Sequence, residues 1–130
     1  MKYLFEIKTI ECQEFIKMFD TLKKIFNEDD MNEGFLMIDQ KGLKVIDEDN
    51  GNIIDRLCFS NDRFFSFYCP FEYALQLNLN YFLKLLSMLS THDKLTLYLP
   101  YDSNKMTIKC EDTNKGKIDI FKINVKIYSR

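Results

Sequence analysis

Between residues 12 and 26 the apolar side chains Phe15, Met18, Phe19, Leu22, Ile25 and Phe26 recur three and four positions apart, which predicts an amphipathic helix. Ahead of it, residues 3–8 read as a short strand, and behind it the run Asn27, Glu28, Asp29, Asp30 ends the helical pattern. Residues 34–38 open a strand that turns at Lys41 and Gly42 into another, 43–46. The dipeptide Asn50-Gly51 accepts the positive φ angles of a two-residue hairpin turn, so the arms 43–47 and 53–59 are expected to pair antiparallel. A further strand, 63–69, runs to Pro70.

The pattern then repeats. Residues 73–77 alternate as a strand, and Asn78 or Asn80 caps a second helix over 81–89. Leu95, Leu97 and Leu99 alternate with Thr96 and Tyr98, the chain turns at 100–104, and Met106, Ile108 and Cys110 continue the alternation. A long strand follows over 117–128, with an apolar phase that switches from Ile118 and Ile120 to Phe121, Ile123, Val125 and Ile127. A bulge or a change of partner near Ile120 is the expected cause. Strand, helix, run of strands, twice over and without a linker between, predicts one α+β domain with internal pseudo-symmetry. Its sheets are mainly antiparallel and both helices pack on one side.

A chain of 130 residues with 46% hydrophobic and 29% charged residues fits one domain with a real core. Eighteen basic against 20 acidic residues leave a net charge of -2, so any attraction to nucleic acid must come from a local basic face. No apolar run approaches the roughly 18 residues that span a bilayer, and charge interrupts the first residues too early for a signal peptide. The expectation is a soluble, intracellular protein without a membrane partner. Cys12, Cys58, Cys69 and Cys110 form no Cys-x-x-Cys pair and read as buried thiols, ahead of structural zinc or a disulfide framework.

Catalytic chemistry finds little support. His92 is the only histidine, in a turn expected to be exposed, and a nucleophile pair would have to converge on it. Residues 47–51 only superficially resemble a calcium loop, since Gly51 falls one place early and Cys58 stands where the bidentate Glu belongs. With four glycines there is no phosphate-cradling loop. No catalytic residue, metal or cofactor is expected.

The helices carry more information. Opposite its apolar side the first places Gln13, Lys17, Asp20, Thr21 and Lys24, with Lys23 at the flank. The second has a thin polar stripe of Asn80, Lys84, Ser87 and Thr91, and its apolar flanks, including Tyr81 and Met88, exceed what one sheet needs. The lysines fit a solvated face or a phosphate-facing one, and the flanks fit a deeper core or a second packing surface. Residues 117–128 read as an edge strand, an aggregation hazard unless a partner covers it.

At this point the chain resembles the first domain of sliding clamps of the proliferating cell nuclear antigen family. The resemblance rests on Tyr-Leu-Phe-Glu-Ile at 3–7, Phe-Ile-Lys-Met-Phe-Asp-Thr-Leu-Lys-Lys-Ile-Phe at 15–26 and Gly-Leu-Lys-Val at 42–45. Phe-Tyr-Cys at 67–69 and Ala-Leu-Gln-Leu-Asn-Leu-Asn-Tyr-Phe-Leu-Lys-Leu-Leu at 74–86 extend it, in order, over nearly the whole chain. It implies a clamp fold and a ring that encloses double-stranded DNA without reading its sequence. Such a ring is a processivity factor that tethers DNA polymerase and other clamp-binding proteins and is handled by a clamp loader. On that resemblance Lys17, Lys23, Lys24 and Lys84 face DNA. Tyr81, Met88, Ile118, Ile120 and Phe121 form the subunit interface, and Ile46, Ile53 and Ile54 form part of the groove that docks client peptides.

Two departures stand out. Ser87 occupies a position where many relatives carry lysine, and the loop 47–52 differs in sequence. Family chains also join two such domains through a connector, so this chain is expected to be the first domain of a two-domain protein, although single domains assembling by themselves is the alternative. The resemblance places it in the nucleus or at a viral replication site in the cytoplasm. A clamp relative serving checkpoint signalling or viral transcription, and an unrelated α+β interaction domain or small enzyme, are the competing readings.

Overall fold

The computed structural model describes residues 3–9, 12–25, 34–49, 52–89 and 92–129; the side chains of 22–25, 47–49, 52–56 and 129 lie outside the description. Strand β1 (Tyr3–Thr9) leads into α1 (Cys12–Ile25), then β2 (Gly34–Asp39), β3 (Gly42–Asp49), β4 (Asn52–Ser60) and a short β5 (Ser66–Tyr68). Strand β6 (Tyr73–Leu77) leads into α2 (Leu79–Ser87), then β7 (Lys94–Pro100), β8 (Lys105–Asp112), β9 (Lys117–Asn124) and β10 (Lys126–Ser129). One sheet runs β5-β1-β7-β8-β9 and the other β10-β6-β2-β3-β4, with all pairings antiparallel. Replacing each strand by the one five places on converts the first order into the second. The expected internal repeat is therefore a pseudo-twofold in topology, and each helix crosses from one sheet to the other.

Burial follows from the apolar periodicity. Helix α1 buries Cys12, Phe15, Ile16 and Phe19, and α2 buries Leu79, Phe82, Leu83, Leu85 and Leu86. Phe19 meets Phe82 edge-on with ring centres 5.5 Å apart, while Phe15 and Phe19 pack on Phe59 of β4 at 4.9 and 6.0 Å. The sheets add alternate residues: Phe5 and Ile7, Leu36 and Ile38, Leu75 and Leu77, Leu95, Leu97 and Leu99, and Met106, Ile108 and Cys110. Gly42, with φ of 155°, lets β3 approach β4 so closely that an added Cβ would lie 2.0 Å from the Phe59 carbonyl oxygen.

Several expectations need correction. The strand predicted over 63–69 is only Ser66–Tyr68, because residues 61–63 form a single 3-10 turn. Asn61 pins that turn to the β2–β3 hairpin: its N–H donates to Lys41 O at 2.8 Å and its Nδ2 to Gln40 O at 2.9 Å, while Ser60 Oγ donates to Asp62. The second helix begins two residues early, capped by Asn78, whose Oδ1 accepts from the Tyr81 N–H at 2.9 Å. The strand predicted over 117–128 is two strands in different sheets, separated at buried Val125, whose N–H donates to Asn104 O. Near Ile120 there is neither bulge nor change of partner, since β8–β9 pairing is continuous from Lys105↔Asn124 to Asp112↔Lys117. The apparent phase switch arises because Ile118 and Ile120 are apolar residues on the outward side of a regular strand.

The two sides of α2 separate cleanly in energetic terms. Phe82→Ala is expected to lower the unfolding free energy by about 3–5 kcal/mol through its cavity, and Met88→Ala to change it by less than about 0.5 kcal/mol. Urea denaturation of both variants checks this, and a large loss for Met88→Ala would place that residue in the core.

Candidate nucleic-acid interface and assembly edge

Helices α1 and α2 pack side by side through Phe19 and Phe82, and a second tie is polar. Gln13 of α1 donates from Nε2 to Leu89 O at 2.8 Å and to His92 O at 2.9 Å, holding the chain that leaves α2. Away from the shared core, α1 exposes Gln13, Glu14, Lys17, Asp20 and Thr21, and α2 exposes Tyr81, Lys84, Ser87 and Met88. Among the described residues neither Lys17 nor Lys84 has a carboxylate within ion-pair distance. Thr21 and Ser87 turn their hydroxyls back onto the Lys17 and Lys84 carbonyls, at 3.1 and 2.8 Å. Both ammonium groups are thus available to anions in solution. Lys23 and Lys24 belong to α1, and their side chains lie outside the described residues.

Among the described residues, strand β9 is the last strand of its sheet and pairs only with β8. Ile118 and Ile120 are 54% and 56% exposed, and Tyr81 and Met88 on α2 are 47% and 61% exposed, so these apolar residues are not part of a deeper core. Phe121 lies on the inward side, half-buried against the core. On the opposite sheet β4 is likewise terminal, its pairing with β3 broken by an irregularity between Val45 and Ile46. Ile46 is half-buried there; Ile53 and Ile54 pair through their backbones with Glu48 and Asp47, and their side chains lie outside the described residues.

His92 departs from expectation. It is 6% exposed, and its Nε2 lies 2.7 Å from Asp119 Oδ2 on β9, while buried Nδ1 has no hydrogen-bond partner among the described residues. Gln13 and the bond from Asp93 N–H to Glu111 O draw the turn inward. A lone histidine among polar neighbours carries no sequence signal for this. The neighbouring Asp93 carboxyl is held below its usual range by hydrogen bonds from the side chain and backbone of Thr113.

Among the cysteines, Cys12, Cys69 and Cys110 are buried as expected, and burial pushes their thiols up to about 11, about 12 and about 12. Cys58 corrects the expectation: it is exposed, because it points to the opposite side of β4 from buried Phe59. All four are free thiols. At about pH 8 a thiol titrating near 11 is about one part in a thousand thiolate, so only Cys58 is expected to react rapidly with a thiol reagent in the native protein. Mass spectrometry after brief alkylation checks this; labelling of two or more cysteines at one rate would contradict the buried placement.

Comparison with known proteins follows from this geometry. The family model described as proliferating cell nuclear antigen, N-terminal domain, matches residues 4–129. A solved structure of PCNA from Entamoeba histolytica superposes with a TM-score of 0.77 at 21% identity, over 98% of this chain and 50% of that one. The PCNA structure from Thermococcus kodakaraensis gives a TM-score of 0.74 at 22% identity, over 94% of this chain and 46% of that one. The chain thus spans about half the length of these solved relatives. A search of curated protein sequences gives no match.

Proposed function

The chain belongs to the proliferating cell nuclear antigen family by its N-terminal domain, and from that premise we propose that it is one segment of a sliding clamp that encloses duplex DNA. The observation that carries this reading is the pair of crossover helices, which lie together and turn Lys17 and Lys84 to solvent without carboxylate partners among the described residues, on a chain of net charge -2. A few ammonium groups aimed at phosphates attract a duplex without contacting base edges, so the DNA is held and still free to slide. The proposed role extends to Lys23 and Lys24 of α1 on the family resemblance alone. The reading needs no catalytic residue and no cofactor.

The rest of the assignment follows from the same premise. The free edge of β9, with Ile118 and Ile120, pairs with a neighbouring domain in a closed ring, and the exposed Tyr81 and Met88 belong to the same contact; Phe121 supports that strand from within. The hairpin carrying Ile46, Ile53 and Ile54 forms part of the groove for DNA polymerase and other clamp-binding proteins, and a clamp loader closes the ring on DNA. The protein acts where DNA is copied, in the nucleus or at a viral replication site in the cytoplasm.

A clamp holds DNA mainly by topology, so this chain alone is expected to bind short duplexes weakly, without sequence preference and less at higher salt. Each phosphate neutralised contributes about 0.9 to the log–log salt slope, so Lys17→Ala with Lys84→Ala is expected to flatten the slope by about 1.8. Fluorescence anisotropy with duplexes of different sequence across a salt series tests this. Tight, salt-resistant or sequence-selective binding would overturn the clamp reading in favour of a dedicated DNA-reading domain.

A further inference from the structure

The sheet β5-β1-β7-β8-β9 packs one side on the core and turns the other away from it. Strand alternation puts Lys8 and Glu6 of β1, Lys94, Thr96 and Tyr98 of β7, Lys105, Lys109 and Glu111 of β8, and Lys122 of β9 on that outward side. Register aligns them in rows: Lys8, Thr96 and Lys109 in one, Glu6, Tyr98, Thr107 and Lys122 in the next. Five lysines thus face two glutamates on a protein whose net charge is negative. Glu6 and Glu111 each lie 3.8 Å from a lysine of their own strand, Lys8 and Lys109. Among the described residues Lys94, Lys105 and Lys122 have no carboxylate within ion-pair distance, and the Asp93 carboxylate beside Lys94 is already held by Thr113.

This face also has an aromatic hollow. Tyr3 packs on Tyr98 with ring centres 4.8 Å apart, and the same hollow is lined by Phe65, 71% exposed, whose backbone N–H donates to Lys8 O at 2.9 Å. Between the rings lies a space of about 390 Å³ that Lys8, Lys94, Lys109, Glu6 and Glu111 also line. We propose that this outward face is a second binding surface, for single-stranded nucleic acid. Its phosphates meet the Lys94, Lys105 and Lys122 ammonium groups, and its unpaired bases enter the hollow against Phe65 and the tyrosine pair. Charge complementarity selects a polyanion, and the aromatic lining selects which one: the rings of Tyr3, Tyr98 and Phe65 offer faces on which unpaired bases stack and an acidic peptide has nothing to stack. A duplex is disfavoured because its base faces are stacked away.

This surface lies on the opposite side of the sheet from the core onto which the helices pack, so the two readings fail separately. The test measures anisotropy of the 130-residue chain with a labelled mixed-sequence oligonucleotide, single-stranded or duplex, with polyglutamate as competitor. Lys94→Gln with Lys122→Gln, and separately Tyr98→Ala, are expected to weaken single-strand binding about tenfold and to leave duplex binding within about twofold. Lys17→Gln with Lys84→Gln is expected to do the reverse. Thermal melting identifies any variant that fails to fold, in which case Phe65→Ala, at an exposed side chain, replaces it. The proposal is overturned by absence of single-strand binding, by its loss only in the helix variants, or by polyglutamate competing as well as the unlabelled strand.

Discussion

The edge-on contact of Phe19 with Phe82 holds this fold together, because it is where the two crossover helices meet and each helix joins one sheet to the other. An amphipathic helix of nine or fourteen residues is marginal alone and gains its stability from the face it buries. Here Phe15 and Phe19 of the first half pack on Phe59 of the same half, and Phe19 also meets Phe82 of the second, so the two halves share one core. Burial of these rings is worth several kcal/mol per side chain, comparable with a sizeable part of the net stability of a small domain.

That arrangement fixes what remains outside. With both helices used as crossovers, each keeps a polar stripe outside the core, Lys17 on α1 and Lys84 on α2, and the sheets are left with terminal strands. A terminal strand with unpaired backbone groups and two half-exposed isoleucines is the arrangement that soluble chains usually blunt with charge or cover with a partner. On β9 Lys117 and Asp119 are ion-paired at 3.8 Å and Asp119 also reaches His92, while Lys122 is the exposed charge on the outward side. Around Ile118 and Ile120 that side is apolar, which is why assembly enters the functional reading.

Much of this was legible along the chain. Period-two alternation located nearly every strand, the three-and-four spacing located both helices, and a polar cap marked the start of α2 once Asn78 is chosen over Asn80. The sheet change at Val125 was hidden because alternation continues through it in sequence, while the pairing partner is decided by tertiary position. The strand expected from residue 63 starts only at Ser66, because the turn at Asn61–Arg63 is held by Gln40 and Lys41, about twenty positions away. Cys58 and Phe121 show the limit of periodicity at an edge: the pattern says which residues share a side, and only the fold says which side is covered. The outward lysines of β7, β8 and β9 come from strands that each look unremarkable alone, and become one surface only through their register.

His92 links these levels. Gln13 bonds α1 to the chain leaving α2, and His92 then bonds that chain to Asp119 of β9. The helix pair and the terminal strand are thereby joined by polar contacts as well as by the core. The Nε2–Asp119 bond is directional, and such a bond fixes position where apolar packing tolerates sliding. The strand that presents Ile118 and Ile120 and the helices that present Lys17 and Lys84 are consequently held at one relative position. The proposed duplex-facing surface and the proposed assembly edge need that property for copies of the domain to close around DNA.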